Sequence, residues 1–175
     1  ITQKLIRHAD NISPSEVIGA LRAYASFGTR DAALLEMSQQ HFILNRHVYA
    51  PNEIASCLWA YGILRFNCPD VLEMVSAHEL GRLSDYSPSQ LTNAVWAYAK
   101  LSSTPKEFVF AVCDECARRN FQGFGNAHLS TLGWVHGRIE DYPHESKAFL
   151  VGLGRHVISD SKVGLNTFSP PELVD

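Results

Sequence analysis

The residues best able to do chemistry in this chain are four cysteines and eight histidines. Cys113-Asp114-Glu115-Cys116 has the C-x-x-C spacing that serves zinc sites and thiol redox centres. A structural zinc needs four ligands, and no second C-x-x-C or H-x-x-x-H pair accompanies this one. The redox version needs a strand-to-helix context, whereas Cys113 and Cys116 lie within a helical pattern. Cys113 is therefore expected in the core and Cys116 as its incidental neighbour, with no metal and no cofactor. The histidines are scattered. His41 and His78 fall 37 residues apart, at equivalent places on separate repeating units. None pairs with a nucleophile, no nucleophile elbow holds a Ser, and Gly123-Phe124-Gly125 lacks a phosphate-cradle pattern. The expectation is a protein that is not an enzyme.

Composition narrows the class further. The chain has 175 residues, 46% apolar and 19% charged, which suits one ordinary domain with a sizeable core. No apolar run approaches the roughly 20 residues needed to span a bilayer. No signal or transit peptide is legible at the start. Four thiols in this length do not make a disulfide framework, so a reducing compartment is expected. The net charge of −3 argues against a strong autonomous nucleic-acid binder and leaves room for local contacts within a larger assembly.

What must position any functional residue is an internal repeat. Ser13-Pro14-Ser15-Glu16-Val17 recurs as Ala50-Pro51-Asn52-Glu53-Ile54 and as Ser87-Pro88-Ser89-Gln90-Leu91, with the prolines 37 residues apart. A fourth copy opens at Gly125-Asn126-Ala127-His128-Leu129, and a fifth at Ser169-Pro170-Pro171-Glu172-Leu173. Each opening reads as a helix start, with Ser as N-cap and Pro at the first helical position. Ile54, Leu58, Tyr61 and Leu64 then follow at steps of three or four. After a short break near Gly28, Pro69, Pro105 or Pro143, a second helix is expected, starting near Arg30, Asp70, Lys106 and His144. The fold class is thus all-α: an α-solenoid of antiparallel helix pairs repeating every 37–38 residues. The reading gives 1–12 as the end of a preceding repeat, then repeats at 13–49, 50–86, 87–124 and a degenerate 125–168, with a fifth starting at 169–175. Neither end carries a polar cap, so the segment is read as part of a longer array or as covered by partners.

The columns divide by role. Val17/Ile54/Leu91/Leu129 and Leu21/Leu58/Val95 form the expected core seam of the first helices, extended by Tyr24/Tyr61/Tyr98 and Phe27/Leu64/Leu101/Ile139. The small column Ala25/Gly62/Ala99/Gly137 lets helices approach. Trp59, Trp96 and Trp134 are assigned to packing between repeats, because regular recurrence at helical spacing is what packing demands; a base-stacking platform is the alternative.

The remaining face of the first helices carries Gly19/Ser56/Asn93/Thr131, then Ala23/Ala60/Ala97/Val135, then Ser26/Ile63/Lys100/Arg138. Helical-repeat RNA binders read bases with small polar side chains at equivalent positions of successive repeats. Ser56, Asn93 and Thr131 suit that task, with Lys100 and Arg138 nearby for phosphates; a merely solvated face is the competing reading. A second basic series, Arg46, Arg82, Arg118, Arg119 and Arg155, lies near the ends of the second helices. It could follow an RNA backbone or complement the helix dipoles. Arg82 and Arg119 join the candidate contacts on that basis.

Residues 87–101, Ser-Pro-Ser-Gln-Leu-Thr-Asn-Ala-Val-Trp-Ala-Tyr-Ala-Lys-Leu, resemble the first helix of octotricopeptide and heptatricopeptide repeats. These are the helical-pair repeats of organellar proteins, often found with a RAP domain. The chain is also similar to helical-repeat proteins of the RNA-editing substrate-binding complex. The likeness runs from Ser13 to Asp175 and is strongest in the second and third repeats; Arg22 stands where Trp is expected, and no RAP domain is visible. The resemblance implies a mitochondrial, RNA-associated scaffold built into a ribonucleoprotein such as a divergent mitochondrial ribosome. Its partners would be ribosomal RNA or an organellar transcript and neighbouring proteins, and its base-facing residues would map to Ser56, Asn93 and Thr131. The alternative is a protein–protein scaffold or assembly factor in an organellar complex without direct RNA contact.

Overall fold

The first helices open on variants of one local device, and the computed structural model shows how it works. The structure describes residues 12–101, 106–138 and 147–159. Helix α1 (Pro14–Ser26) is capped by Ser13, whose hydroxyl accepts from the Glu16 amide while the Glu16 carboxylate accepts from the Ser13 amide. This reciprocal box satisfies two otherwise orphaned donors. Helix α2 (Ala32–Asn45) starts on Asp31, which accepts from the Leu34 amide. Helix α3 (Pro51–Ile63) keeps half of the box, because Ala50 has no oxygen to offer but its amide still donates to Glu53. Helix α4 (Pro69–Glu79) is continued by a 3-10 segment, Leu80–Asp85. Pro69, expected in the break, instead occupies the first turn, where its missing N–H costs nothing. Helix α5 (Pro88–Lys100) restores the full box with Ser87 and Gln90. Helices α6 (Lys106–Arg118), α7 (Asn126–Arg138) and α8 (Lys147–Ser159) complete the described chain. In α7 the returning acceptor is His128, whose Nδ1 takes the Gly125 amide at 3.1 Å.

The architecture is an all-α solenoid. First helices pack on first helices, α1 on α3, α3 on α5 and α5 on α7, while α2 meets α4 and α6 meets α8. The described residues contain eight α-helices and no strand. No helix among them is long and apolar enough to cross a membrane.

The core seam lies where the repeat columns place it. Val17, Ile54, Leu91 and Leu129 are buried, as are Leu21, Leu58, Val95, Tyr61 and Tyr98. Two polar ties join consecutive repeats. Ser38 of α2 sits 3.0 Å from the Tyr61 hydroxyl, and Ser76 of α4 sits 3.0 Å from that of Tyr98. Ser38 donates its own proton to the Leu35 carbonyl, so Tyr61 is the donor between them. Tyr98 donates to the Leu72 carbonyl at 2.6 Å, so there Ser76 is the donor.

Several expectations are corrected. In the column Ala23/Ala60/Ala97/Val135 only Ala23 is displayed; Ala60, Ala97 and Val135 are fully buried, because adjacent first helices close directly over them. Gly62 makes the close approach expected of its column: a Cβ there would lie 2.7 Å from Trp96 Cζ3 and 3.3 Å from the Ala97 Cα. Gly137 has nothing within 4 Å of the same position, so close approach is not a property of the whole column. Phe27 is 83% exposed, whereas its equivalent Leu64 is buried. Cys116 is as buried as Cys113 and belongs to the core. The end-of-repeat reading for 1–11, Ile139 and the fifth repeat lie outside the described residues.

Candidate nucleic-acid interface

The surface of the first helices forms four parallel rows at a spacing of four, three and four residues, which keeps each row on one face. They are Ser15-Gly19-Arg22-Ser26, Asn52-Ser56-Trp59-Ile63, Ser89-Asn93-Trp96-Lys100 and Ala127-Thr131-Trp134-Arg138. The rows carry three cations and no carboxylate. In contrast, segments 31–48, 69–86 and 106–119 carry nine carboxylates and five Lys or Arg side chains. The net charge of −3 therefore hides an uneven distribution: first-helix rows without a carboxylate, and an acidic excess in the second-helix segments of the first three repeats that does not extend to 147–159.

The three tryptophans occupy an intermediate position. Each is half-buried and packed against the core, so each serves packing while leaving part of its ring at the surface. Trp96 lies against Gly62 of the preceding repeat. Trp134 carries the Arg138 guanidinium 4.9 Å from its ring centroid, a cation–π contact along one row.

A cleft of about 330 Å³ opens between three consecutive first helices. Helix α1 contributes Arg22, α3 contributes Asn52, Ser56 and Trp59, and α5 with its cap contributes Ser87, Ser89, Gln90 and Asn93. The structure thus brings two of the expected contacts, Ser56 and Asn93, into one concavity. Neither side chain makes a hydrogen bond with the other described residues. Thr131, Lys100 and Arg138 lie on the same face but outside this cleft. Thr131 donates its proton to the Ala127 carbonyl at 2.8 Å, which leaves its hydroxyl as an acceptor. Sequence reasoning missed Arg22, Asn52 and Ser89. The signal was present, since Asn52 and Ser89 stand four residues before Ser56 and Asn93, and Arg22 occupies the Trp column.

The arginines of the second layer have other partners. Arg119 donates to Glu115 at 2.7 Å and to the carbonyls of Tyr86 and Leu83 at 2.7 and 2.8 Å. Its guanidinium clamps α6 to the segment that leads into α5 and keeps 19% of its side-chain surface exposed. Arg82 is half-exposed and lies 3.5 Å from Glu79 and 3.7 Å from Asp85. Arg118 and Arg119 together hold the Glu115 carboxyl below its usual range, with the Arg118 hydrogen bond as the largest cause.

Burial governs the thiols. It pushes Cys57 and Cys68 up to about 12 and raises Cys116 above its ordinary value, so all three are protonated at neutral pH. Among the described residues no three His, Cys, Asp or Glu side chains converge to hold a metal ion. Burial also lowers His128 and His136, both in α7, which keeps the His128 ring neutral and able to accept from Gly125.

No protein-family pattern matches this sequence, and no curated protein shows significant similarity to it.

Proposed function

We propose that this chain is a non-enzymatic, RNA-associated helical-repeat scaffold, with the row-bearing face of α1, α3, α5 and α7 as its RNA contact surface. The observation that carries this reading is the composition of those rows: half-buried indoles, small polar side chains and cations, with carboxylates excluded. Single-stranded nucleic acid is held by aromatic stacking beside a positive track, and successive helical repeats can each address one base. The resemblance of residues 87–101 to octotricopeptide and heptatricopeptide repeats supports placing the chain in a mitochondrial ribonucleoprotein, such as a divergent mitochondrial ribosome. RNA and neighbouring proteins are then its partners.

The acidic excess in the second-helix segments of the first three repeats favours a second reading, a protein–protein scaffold. A shallow cleft of about 460 Å³, between the Leu80–Asp85 segment and α6, is lined by Leu80, Ala111, Asp114 and Arg118 among others. RNA–protein crosslinking on the native particle separates the two readings. Crosslinked peptides covering Ser56, Asn93, Lys100, Thr131 or Arg138 support the RNA surface. Crosslinks confined to neighbouring proteins leave the protein scaffold.

A further inference from the structure

The geometry points to the cleft across α1, α3 and α5 as a pocket for one unpaired ribonucleotide. Its base lies against Trp59, the edge of that base faces Ser56 and Asn93, and its phosphate meets Arg22. This rests on the RNA-associated reading of the same face and adds a ligand class, a stoichiometry and a direction to it.

Size comes first. About 330 Å³ lies at the small end of ligand sites, which suits a single nucleotide better than a folded element of a partner. Chemistry comes second. Trp59 is the one aromatic ring in the lining, and stacking on an indole accepts every base because every base has a π-face. Asn52, Ser56 and Asn93 surround it with both donors and acceptors, and none of these side chains is tied up by a hydrogen bond with the other described residues. A base edge presents the same mixture of donors and acceptors. Charge comes third. Arg22 is the only ionised side chain in the lining, and no carboxylate is present to repel a phosphate. The column that supplies Trp59, Trp96 and Trp134 supplies Arg22 at this end alone among the described repeats, so the cleft has a ring on one wall and a guanidinium on the other. A nucleotide bound there is oriented, with its phosphate toward α1.

The test uses the whole chain labelled with 5-fluorotryptophan, whose three resonances are assigned by single Trp→Phe variants and followed by fluorine NMR. A single-stranded RNA octamer is the probe, and its affinity is read in parallel by fluorescence anisotropy. The expected result is a saturable shift of the Trp59 resonance. Arg22→Ala should weaken binding roughly tenfold and Asn93→Ala roughly fivefold. Arg22 is exposed, so its removal should leave melting unchanged. If the octamer binds while Trp59 stays silent and both variants bind as the parent does, the pocket is wrong and the RNA surface stands. Absence of octamer binding to the parent overturns both. A Glu-rich octapeptide that shifts Trp59 at lower concentration than the RNA makes the cleft a peptide site and overturns the nucleotide.

Discussion

The first-helix layer and the second-helix layer solve the same packing problem differently. In the first, α1, α3, α5 and α7 lie directly against one another, with Ala60, Ala97 and Val135 fully buried between them and Trp96 seated on Gly62. Direct contact of that kind leaves no volume to vary, so the sequence there repeats tightly. In the second, each repeat closes its turn with a different pair. His41 Nδ1 lies 2.8 Å from the Tyr49 hydroxyl, and Tyr86 donates to Glu79 at 2.8 Å. Glu79, and not the exposed His78 that the 37-residue spacing pairs with His41, is thus the counterpart of His41, and Cys116 and Phe124, both buried, stand in their place in the third repeat. An imidazole, a carboxylate and a thiol serve at one place, provided the aromatic before the next helix stays buried. Periodicity in this fold resides where helices touch without intermediaries.

That comparison can be broken by mutation. Trp96→Ala should cost the most, about 3 kcal/mol, because it empties the site against Gly62. Chemical denaturation that finds a loss below about 1 kcal/mol would show the first layer to be less tightly determined than its sequence implies. Tyr86→Phe should cost less, about 1–2 kcal/mol, since the buried Glu79 loses its hydroxyl donor but keeps Arg82 nearby. Equal losses for the two variants would abolish the distinction between layers.

Acid should expose the weakest part of the first layer. His128 and His136 have lowered pKa values from burial, so the folded state takes up their protons later than the unfolded chain does. Their contribution is present above the unfolded value of about 6.5 and is lost as pH falls below it. Hydrogen exchange at pH 5 should therefore show α7 opening before α3, whose returning cap acceptor is Glu53. Identical protection in both helices would contradict that assignment. The smallest effect concerns a turn. Arg65 has φ of 47° at the end of α3, where its counterpart Gly28 has 62°. Both close Schellman-type turns, Phe66 to Tyr61 and Thr29 to Tyr24. Arg65→Gly should gain about 0.5–1 kcal/mol, read as a higher melting temperature.

The same contrast explains what was legible in advance. The helix starts at Pro14, Pro51 and Pro88 and the seam of Leu21, Leu58 and Val95 announce themselves through local chemistry and spacing. The polarity of the surface was harder to read. Ala60 and Ala97 have the small side chains of an open helical face, and only the neighbouring helix reveals that they are covered. Arg119 looks like any cation at a helix end; its acceptors at Leu83 and Tyr86 lie more than thirty residues away. The cleft needed three helices at once, so Arg22 stood out in the sequence only as an exception in the Trp column.

The tyrosine ties give the array a sense of growth. Ser38 and Ser76 each wait in one repeat for a hydroxyl delivered by the repeat that follows, Tyr61 and Tyr98 respectively. Residues 50–86 therefore receive from one side what they offer on the other. A unit with matching plug and socket is a module that can be copied: a duplicated 50–86 inserted before Ser87 would meet the partner it needs at both junctions. Lengthening by internal duplication, one turn of the helix stack at a time, is thus built into the chemistry of two serines.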